Sequence, residues 1–357
     1  MVDAFVGLQY GSEGKGKVCA MLASLYDGAV RTGAPNAGHT IYQEEKAYKM
    51  RSVPCAWVNP RCRLFIGAGG MVNVDILAKE LASLPEGVVD RLRIDRNAGV
   101  ITPHDMEDEE KVGMNAKNGS TAEGVGPAQA RKVLRRDVTT ANTSPALKPY
   151  LTNVAKELHA MLGERQRIML EGTQGAGLSM NHGQYPFTTS RDVLASSLLS
   201  DAGLPPSECE KVYGVLRTYP IRVAGNSGPI GEETTWQDVE RRCGAPEGSI
   251  VERTTVTNRI RRVGEIDWDM LRYTSALNAP DGVFLMFADY LDWRLHGSND
   301  YGAITPGVWS FVKKVESVCH CEVLALSTGP KPEHTIWLGG AELHFPHRFM
   351  REMSERR

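Results

Sequence analysis

Residues 7–18, "GLQYGSEGKGKV", constrain this chain more than any other stretch. They follow a short apolar run, "VDAFVG", and lead into "GKVCAMLASLY", whose apolar spacing predicts a helix. A strand, a glycine-rich turn and a helix in that order direct a helix N-terminus at an anion. Gly11, Ser12, Glu13, Gly14, Lys15, Gly16 and Lys17 fit the G-x-x-x-x-G-K spacing of a phosphate loop. Glycines let the backbone close on phosphate oxygens, and Lys15 and Lys17 offer countercharge. Val18 stands where such loops carry the magnesium-binding Ser or Thr, so the loop is a variant.

The same alternation recurs at 63–84, 167–177, 211–223 and 281–293, where apolar strands are separated by helical segments. This predicts an α/β fold, with a mostly parallel central sheet flanked by helices. Neither a repeat nor a low-complexity linker interrupts the 357 residues, and a single large domain over 1–357 is expected. The 41 basic and 43 acidic residues nearly cancel, which argues against a nucleic-acid binder relying on phosphate neutralisation. Anionic ligands must then be held by local clusters. The longest apolar run, "VFLMFA" at 283–288, is too short to cross a bilayer. An N-terminus without a signal pattern and seven scattered cysteines lead us to expect a cytoplasmic protein. Cys319-His320-Cys321 lacks a second ligand pair and reads as ordinary strand.

Several longer strings make the chain recognisable. "GLQYGSEGKGK", "NAGHT" (36–40), "STAEGVGPA…KVLRR" (120–136), "EGTQGAG…HGQYPFTTS" (171–190), "TVTNRIRRVG" (255–264) and "STGP" (327–330) resemble, in order, the motifs of adenylosuccinate synthetases. That family joins aspartate to C6 of a purine nucleotide, after a nucleoside triphosphate has phosphorylated the 6-oxygen. The resemblance implies a homodimer, a Mg2+ requirement and a fold of the adenylosuccinate synthetase type.

It also implies roles. His39 is the expected catalytic histidine, which stabilises charge on the 6-oxygen. Ser12, Glu13, Gly14, Lys15, Asn36, Ala37, Gly38, His39, Thr121, Gln174, Thr189, Val223 and Arg259 fall at monophosphate-nucleotide positions. Arg135 belongs with them, but reaches into the site of the neighbouring subunit. Thr257, Arg259 and Arg261 form the aspartate loop. Two guanidinium groups two residues apart in an extended segment suit a dicarboxylate, though read alone they serve equally as a solvated basic loop. The triphosphate falls to Gly11 through Lys17, to Gly38, His39, Thr40 and Arg261, and to Asp289, Ser327, Gly329 and Pro330. Gly38 and Ser12 are the expected metal ligands.

Two departures redirect the expectation. Ser12 replaces an aspartate that takes the N1 proton of inosine monophosphate and helps bind magnesium. A serine leaves room for the 2-amino group of guanine, as in the bacteriophage enzymes that take dGMP toward 2-aminoadenine. Met286-Phe287-Ala288-Asp289 replaces the family's "TKxD", so Phe287 stands for the lysine that packs on a guanine donor. An adenine donor, ATP or dATP, is therefore expected, with Phe287 available for stacking. The rival is an ordinary synthetase using IMP and GTP. A nucleotide switch would need no dicarboxylate clamp. A Rossmann dehydrogenase has only "GAGG" at 67–70 in its favour.

Overall fold

A computed structural model describes residues 1–135, 139–253 and 259–355. Thr257, expected in the aspartate loop, lies outside the described residues.

Ten strands form one sheet. At its centre the apolar run Val2–Gly7 pairs in parallel with Ile168–Glu171 on one side and Cys209–Arg217 on the other. Beyond Ile168–Glu171 follow Gly28–Arg31, Arg63–Ile66, Leu92–Asp95 and Leu151–Thr152, all parallel. Beyond Cys209–Arg217 follow Gly282–Met286 and Glu322–Ser327, with Thr335–Trp337 antiparallel at the edge. The expected parallel α/β sheet is present.

Both faces are buried, which is why the strands read as nearly unbroken apolar runs. In the central strand Phe5 packs into one core layer with Tyr26 and Tyr213, whereas Val2, Ala4 and Val6 face the other with Leu198 and Leu271. Asp3 lies on the Phe5 side, where Tyr26 Oη and Arg167 Nη2 donate to it at 2.7 and 2.8 Å. Both bonds reach Oδ2 of this enclosed carboxylate, while Oδ1 is buried without a partner.

The helix after the glycine loop runs Lys15–Leu22, shorter than the periodicity suggests because Ala23–Leu25 tightens into a 3-10 turn. Val18 is fully buried in the core, so it packs where a phosphate loop would present a metal-binding hydroxyl. Gly16 is required by packing: a Cβ there would lie 2.7 Å from His39 Cβ. Cys319 and His320 are not strand residues. Cys319 ends the helix Pro306–Cys319, and His320 caps it in the left-handed region at φ 55°. The strand starts only at Glu322, because alternation over three residues cannot reveal a left-handed cap. All seven cysteines are free.

Candidate active site

In an open parallel sheet ligands bind beyond the carboxyl ends of the strands. Gly7, Arg31, Glu171 and Arg217 all end strands there, and register sets Glu171 directly beside Arg31 and Phe5. The glycine loop rises from this edge. Gly11, Ser12 and Gly14 all have positive φ (86°, 54° and 92°), turning the chain sharply before the helix N-terminus at Lys15. Gly14 provides no side-chain cap, so the first N–H groups of the helix remain available to an anion.

Glu13 and Lys15 brace the loop, and Lys17 ties it to the neighbouring strand end. Glu13 is fully buried; its Oε1 accepts from the N–H groups of Gln9 (3.1 Å) and Gly11 (2.8 Å). Its Oε2 receives Lys15 Nζ at 2.5 Å, and the same ammonium donates to the Gln174 carbonyl. Lys17 Nζ donates to Ser327 Oγ (2.8 Å), Gly329 O (2.9 Å) and His334 O (2.7 Å). Burial pulls the Lys17 ammonium down to about 7, against the opposing pull of Asp289 and Glu333.

Beside the loop lies a cleft of about 770 Å³. Strings far apart in sequence meet on its walls: Gly11 and Ser12; Asn36, Ala37, Gly38, His39 and Thr40; Thr121; Gln174 and Thr189; Val223; Arg259 and Arg261. Glu13, Gly14 and Lys15 lie behind this wall rather than on it. Asn36 Oδ1 and Gln174 Oε1 are buried without a protein partner, although Gln174 Nε2 donates to Thr189 Oγ1 at 2.8 Å. Enclosed amide oxygens of this kind cost about 1–3 kcal/mol each unless a donor reaches them, which marks the cleft as a place for a polar ligand.

Arg135 is elsewhere. It ends the helix Val125–Leu134 at φ 56°, is exposed, and follows two exposed apolar residues, Val133 and Leu134. Ser327 and Gly329 hold Lys17 on a separate flank, at the ends of the Gly282–Met286 and Glu322–Ser327 strands; Asp289 acts on it electrostatically, and Pro330 follows Gly329 in the chain.

His39 sits at the bottom of the cleft, 8% exposed. Its Nδ1 is 2.6 Å from Glu171 Oε1, and Arg31 Nη1 donates to the same oxygen at 2.5 Å. Glu171 Oε2 accepts the Cys55 N–H at 2.6 Å. Burial pushes the Glu171 carboxyl up, but the Arg31 guanidinium and the His39 hydrogen bond outweigh it and hold it at about 2. Burial, then Arg31, lowers His39 to about 4. The neutral ring therefore carries its proton on Nδ1, toward Glu171, and leaves Nε2 for the cleft. Neither Arg31 nor Glu171 was singled out from sequence, although "EGTQ" contains Glu171. Their relation to His39 is one of strand register.

His39, Cys55 and Glu171 bring three potential metal-ligand atoms within 4.8 Å of one another. Arg31 already supplies the cation at that point, so the cluster does not fit a metal. A better match for a hard divalent ion is oxygen, and Gly38 and Ser12 are both exposed on the cleft wall.

Arg217 was also missed. It is fully buried; Nη1 donates to the Ser12 carbonyl at 3.1 Å, and both terminal nitrogens pair with Glu252. Its guanidinium lies 4.1 Å from the Phe287 ring centroid. One face of Phe287 is thus occupied by protein.

The model of the adenylosuccinate synthetase family matches residues 4–144 and 138–296. The chain belongs to the adenylosuccinate synthetase family. The synthetase of Pyrococcus horikoshii is 36% identical over 340 residues, covering 93% of this chain and 96% of that protein. That of Methanococcus aeolicus is 37% identical, covering 93% and 97%. Among solved structures, fully ligated adenylosuccinate synthetase from Plasmodium falciparum aligns with TM-score 0.83 at 21% identity, over 94% of this chain and 99% of that one, a likeness of fold. The succinoaminodeoxyadenylate synthetase of cyanophage S-2L, bound to dGMP and to dATP as energy donor, aligns with TM-score 0.79 at 29% identity over 99% of both chains. The chain is thus a C–N ligase of the nucleotide-binding, purine-biosynthetic type. Among the described residues no helix is long and apolar enough to cross a membrane.

Proposed function

We propose that this ligase joins L-aspartate to C6 of dGMP with ATP or dATP as phosphoryl donor, giving N6-succino-2-amino-2′-deoxyadenylate. The observation that carries this reading is Ser12: a small hydroxyl residue on the cleft wall, at the position where the family motif it resembles has an aspartate. The carboxylate would crowd the guanine 2-amino group; the hydroxyl accepts from it. The cyanophage enzyme, bound to dGMP and to dATP as an energy donor, supports the reading.

The reaction has two displacements. The guanine 6-oxygen attacks the donor γ-phosphorus and expels the nucleoside diphosphate; the aspartate amine then attacks C6 and expels phosphate. The helix N-terminus at Lys15, with Lys17, holds the transferring phosphoryl group. His39 works through Nε2. Anionic phosphoryl oxygens beside it raise its proton affinity, so the ring protonates as the cleft fills and donates to the charge on the 6-oxygen. Glu171 keeps the proton on Nδ1 and stabilises the imidazolium. Arg259 and Arg261 take the aspartate carboxylates, together with Thr257. Mg2+, when bound, neutralises phosphate charge; the Gly38 carbonyl and Ser12 would hold it beside phosphate oxygens and water. Both Glu13 oxygens are taken by the loop, which leaves water or a phosphate oxygen as the acceptor of the N1 proton.

The remaining assignments belong to the same proposal: a single catalytic domain in the cytoplasm (that of the host, if the gene is a phage's), working as a homodimer. Arg135 then crosses to the partner's cleft, in keeping with its exposure beside Val133 and Leu134.

The curated relatives, at 36–37% identity, favour the ordinary reaction on IMP, and the assay must separate the two. Purified protein is given aspartate, Mg-ATP and either dGMP or IMP, and succinyl product is measured. Wild type is expected to use dGMP. Ser12→Asp loses about 10–100-fold with dGMP, the cost of crowding one polar group, and gains on IMP. Faster wild-type turnover of IMP than of dGMP refutes the proposal.

A further inference from the structure

The donor flank contains an arrangement that the preceding roles leave unexplained. Asp289 is 3% exposed, and its two oxygens are unequal. Oδ2 is engaged by His296 Nδ1 at 2.8 Å; Oδ1 is buried and has no partner. The imidazole of His296 is held flat against Trp293, with ring centroids 3.9 Å apart and planes 13° apart. Hydrogen bonds stitch this segment to the strand end that carries the Lys17 acceptors. Gly297 N donates to Thr328 O at 2.8 Å, and Thr328 Oγ1 donates to Ser298 O at 2.5 Å. Asp289, His296 and the Lys17 cluster therefore belong to one connected surface, with Lys17 close enough to act electrostatically on Asp289.

Purine bases differ in what they bring to a carboxylate. Guanine presents two adjacent donors, N1–H and the 2-amino group, and is matched by a carboxylate with both oxygens free. Adenine presents one donor, the 6-amino group, next to the N1 acceptor. His296 takes a lone pair of Oδ2 and stands beside that oxygen, which leaves Oδ1 as the oxygen wholly open to a base donor. A guanine base there would leave its second donor facing an imidazole N–H that already points at the carboxylate. Discrimination of this kind is strong because an unmatched buried polar group is costly.

We propose that His296, fixed by Trp293, is a specificity-determining residue that tunes Asp289 to adenine nucleotides as phosphoryl donors. The inference rests on the adenine-donor reading above and adds the residue that enforces it. Phe287, already covered on one face by Arg217, is not needed for it.

The test is binding of Mg-ATP, Mg-dATP and Mg-GTP to the intact protein by calorimetry. Wild type, His296→Ala and His296→Gln are compared, with circular dichroism reporting the fold. His296 is 45% exposed, so truncation removes little packing. Wild type is expected to favour ATP over GTP. His296→Ala frees the second oxygen and moves the ATP:GTP affinity ratio toward GTP by at least tenfold, the worth of one hydrogen bond to a charged group. His296→Gln, whose amide N–H can still occupy Oδ2, keeps the wild-type ratio. If wild type favours ATP but His296→Ala leaves the ratio unchanged, or strengthens both nucleotides alike, the role of His296 is overturned and the adenine-donor reading stands. A wild-type ratio at or below one removes the adenine-donor reading and this inference together.

Discussion

Replacing Glu171 by Gln keeps the size of the side chain and removes one charge from the most enclosed polar cluster of the site. The carboxylate is 0% exposed and touches Arg31, His39 and the Cys55 amide. Its pKa falls from an ordinary 4.5 to about 2, equivalent to about 3 kcal/mol of stability at neutral pH. Breaking a buried ion pair by removing one partner costs about 3–5 kcal/mol, which agrees. At about 2.1 cal/mol/K per residue, this lowers the melting temperature of a chain this long by about 4–5 °C. Because the folded-state pKa is depressed, the stabilisation is complete above the unfolded-state value near 4.5. It is lost as pH falls toward 2. Glutamine imitates the protonated acid, so the gap between wild type and variant narrows as pH falls from 7 to 3.

Urea unfolding of both proteins at pH 7 and pH 3 measures this directly. Activity measured well below the melting temperature adds an independent readout. Without a carboxylate to fix the Nδ1 proton and stabilise the imidazolium, kcat is expected to fall by about 10²–10⁴. A stability gap that does not change with pH refutes the assignment of Glu171 as the charged partner of Arg31. Unchanged kcat refutes its action through His39.

Two further outcomes are expected. Lys17, lowered to about 7, holds a donor phosphate best when protonated, so apparent triphosphate affinity weakens about tenfold from pH 6 to pH 8; titration of Lys17→Met alongside should remove that excess slope, and an identical slope in both proteins sinks the argument. If Arg135 completes the partner's cleft, Arg135→Ala and His39→Asn are each inactive alone. Mixed under subunit exchange they regain about a quarter of wild-type activity, since half the dimers carry one intact site; no recovery in a verified mixed dimer refutes the shared site.

Much of this molecule was legible in its sequence. The parallel sheet followed from apolar runs alternating with helical spacing, and the glycine loop from its position directly after the first run. The ordered motifs named the walls of the cleft, from Ser12 and the 36–40 turn to Arg261. Those features are local: each depends on periodicity or on a short string whose backbone conformation the residues themselves enforce. The helix Lys15–Leu22 is shorter than expected, and Cys319-His320-Cys321, read as strand, instead closes a helix ahead of the strand at Glu322, since termini depend on caps that periodicity does not record.

What only the tertiary structure decided is how charges share partners. Glu13 and Lys15 read as charged loop residues in sequence; in the fold they pair with each other, Glu13 also accepting from Gln9 and Gly11 N–H and Lys15 donating to the Gln174 carbonyl. Glu171 and Arg31, 140 residues apart, meet because parallel register sets their strand ends side by side. Arg217 reaches Ser12, Glu252 and Phe287 from a strand that sequence marks only as apolar. The type of a residue fixes what it is able to donate or accept. Which partner takes that capacity is set by burial, because an enclosed charge must find a counterpart wherever the fold brings one within reach.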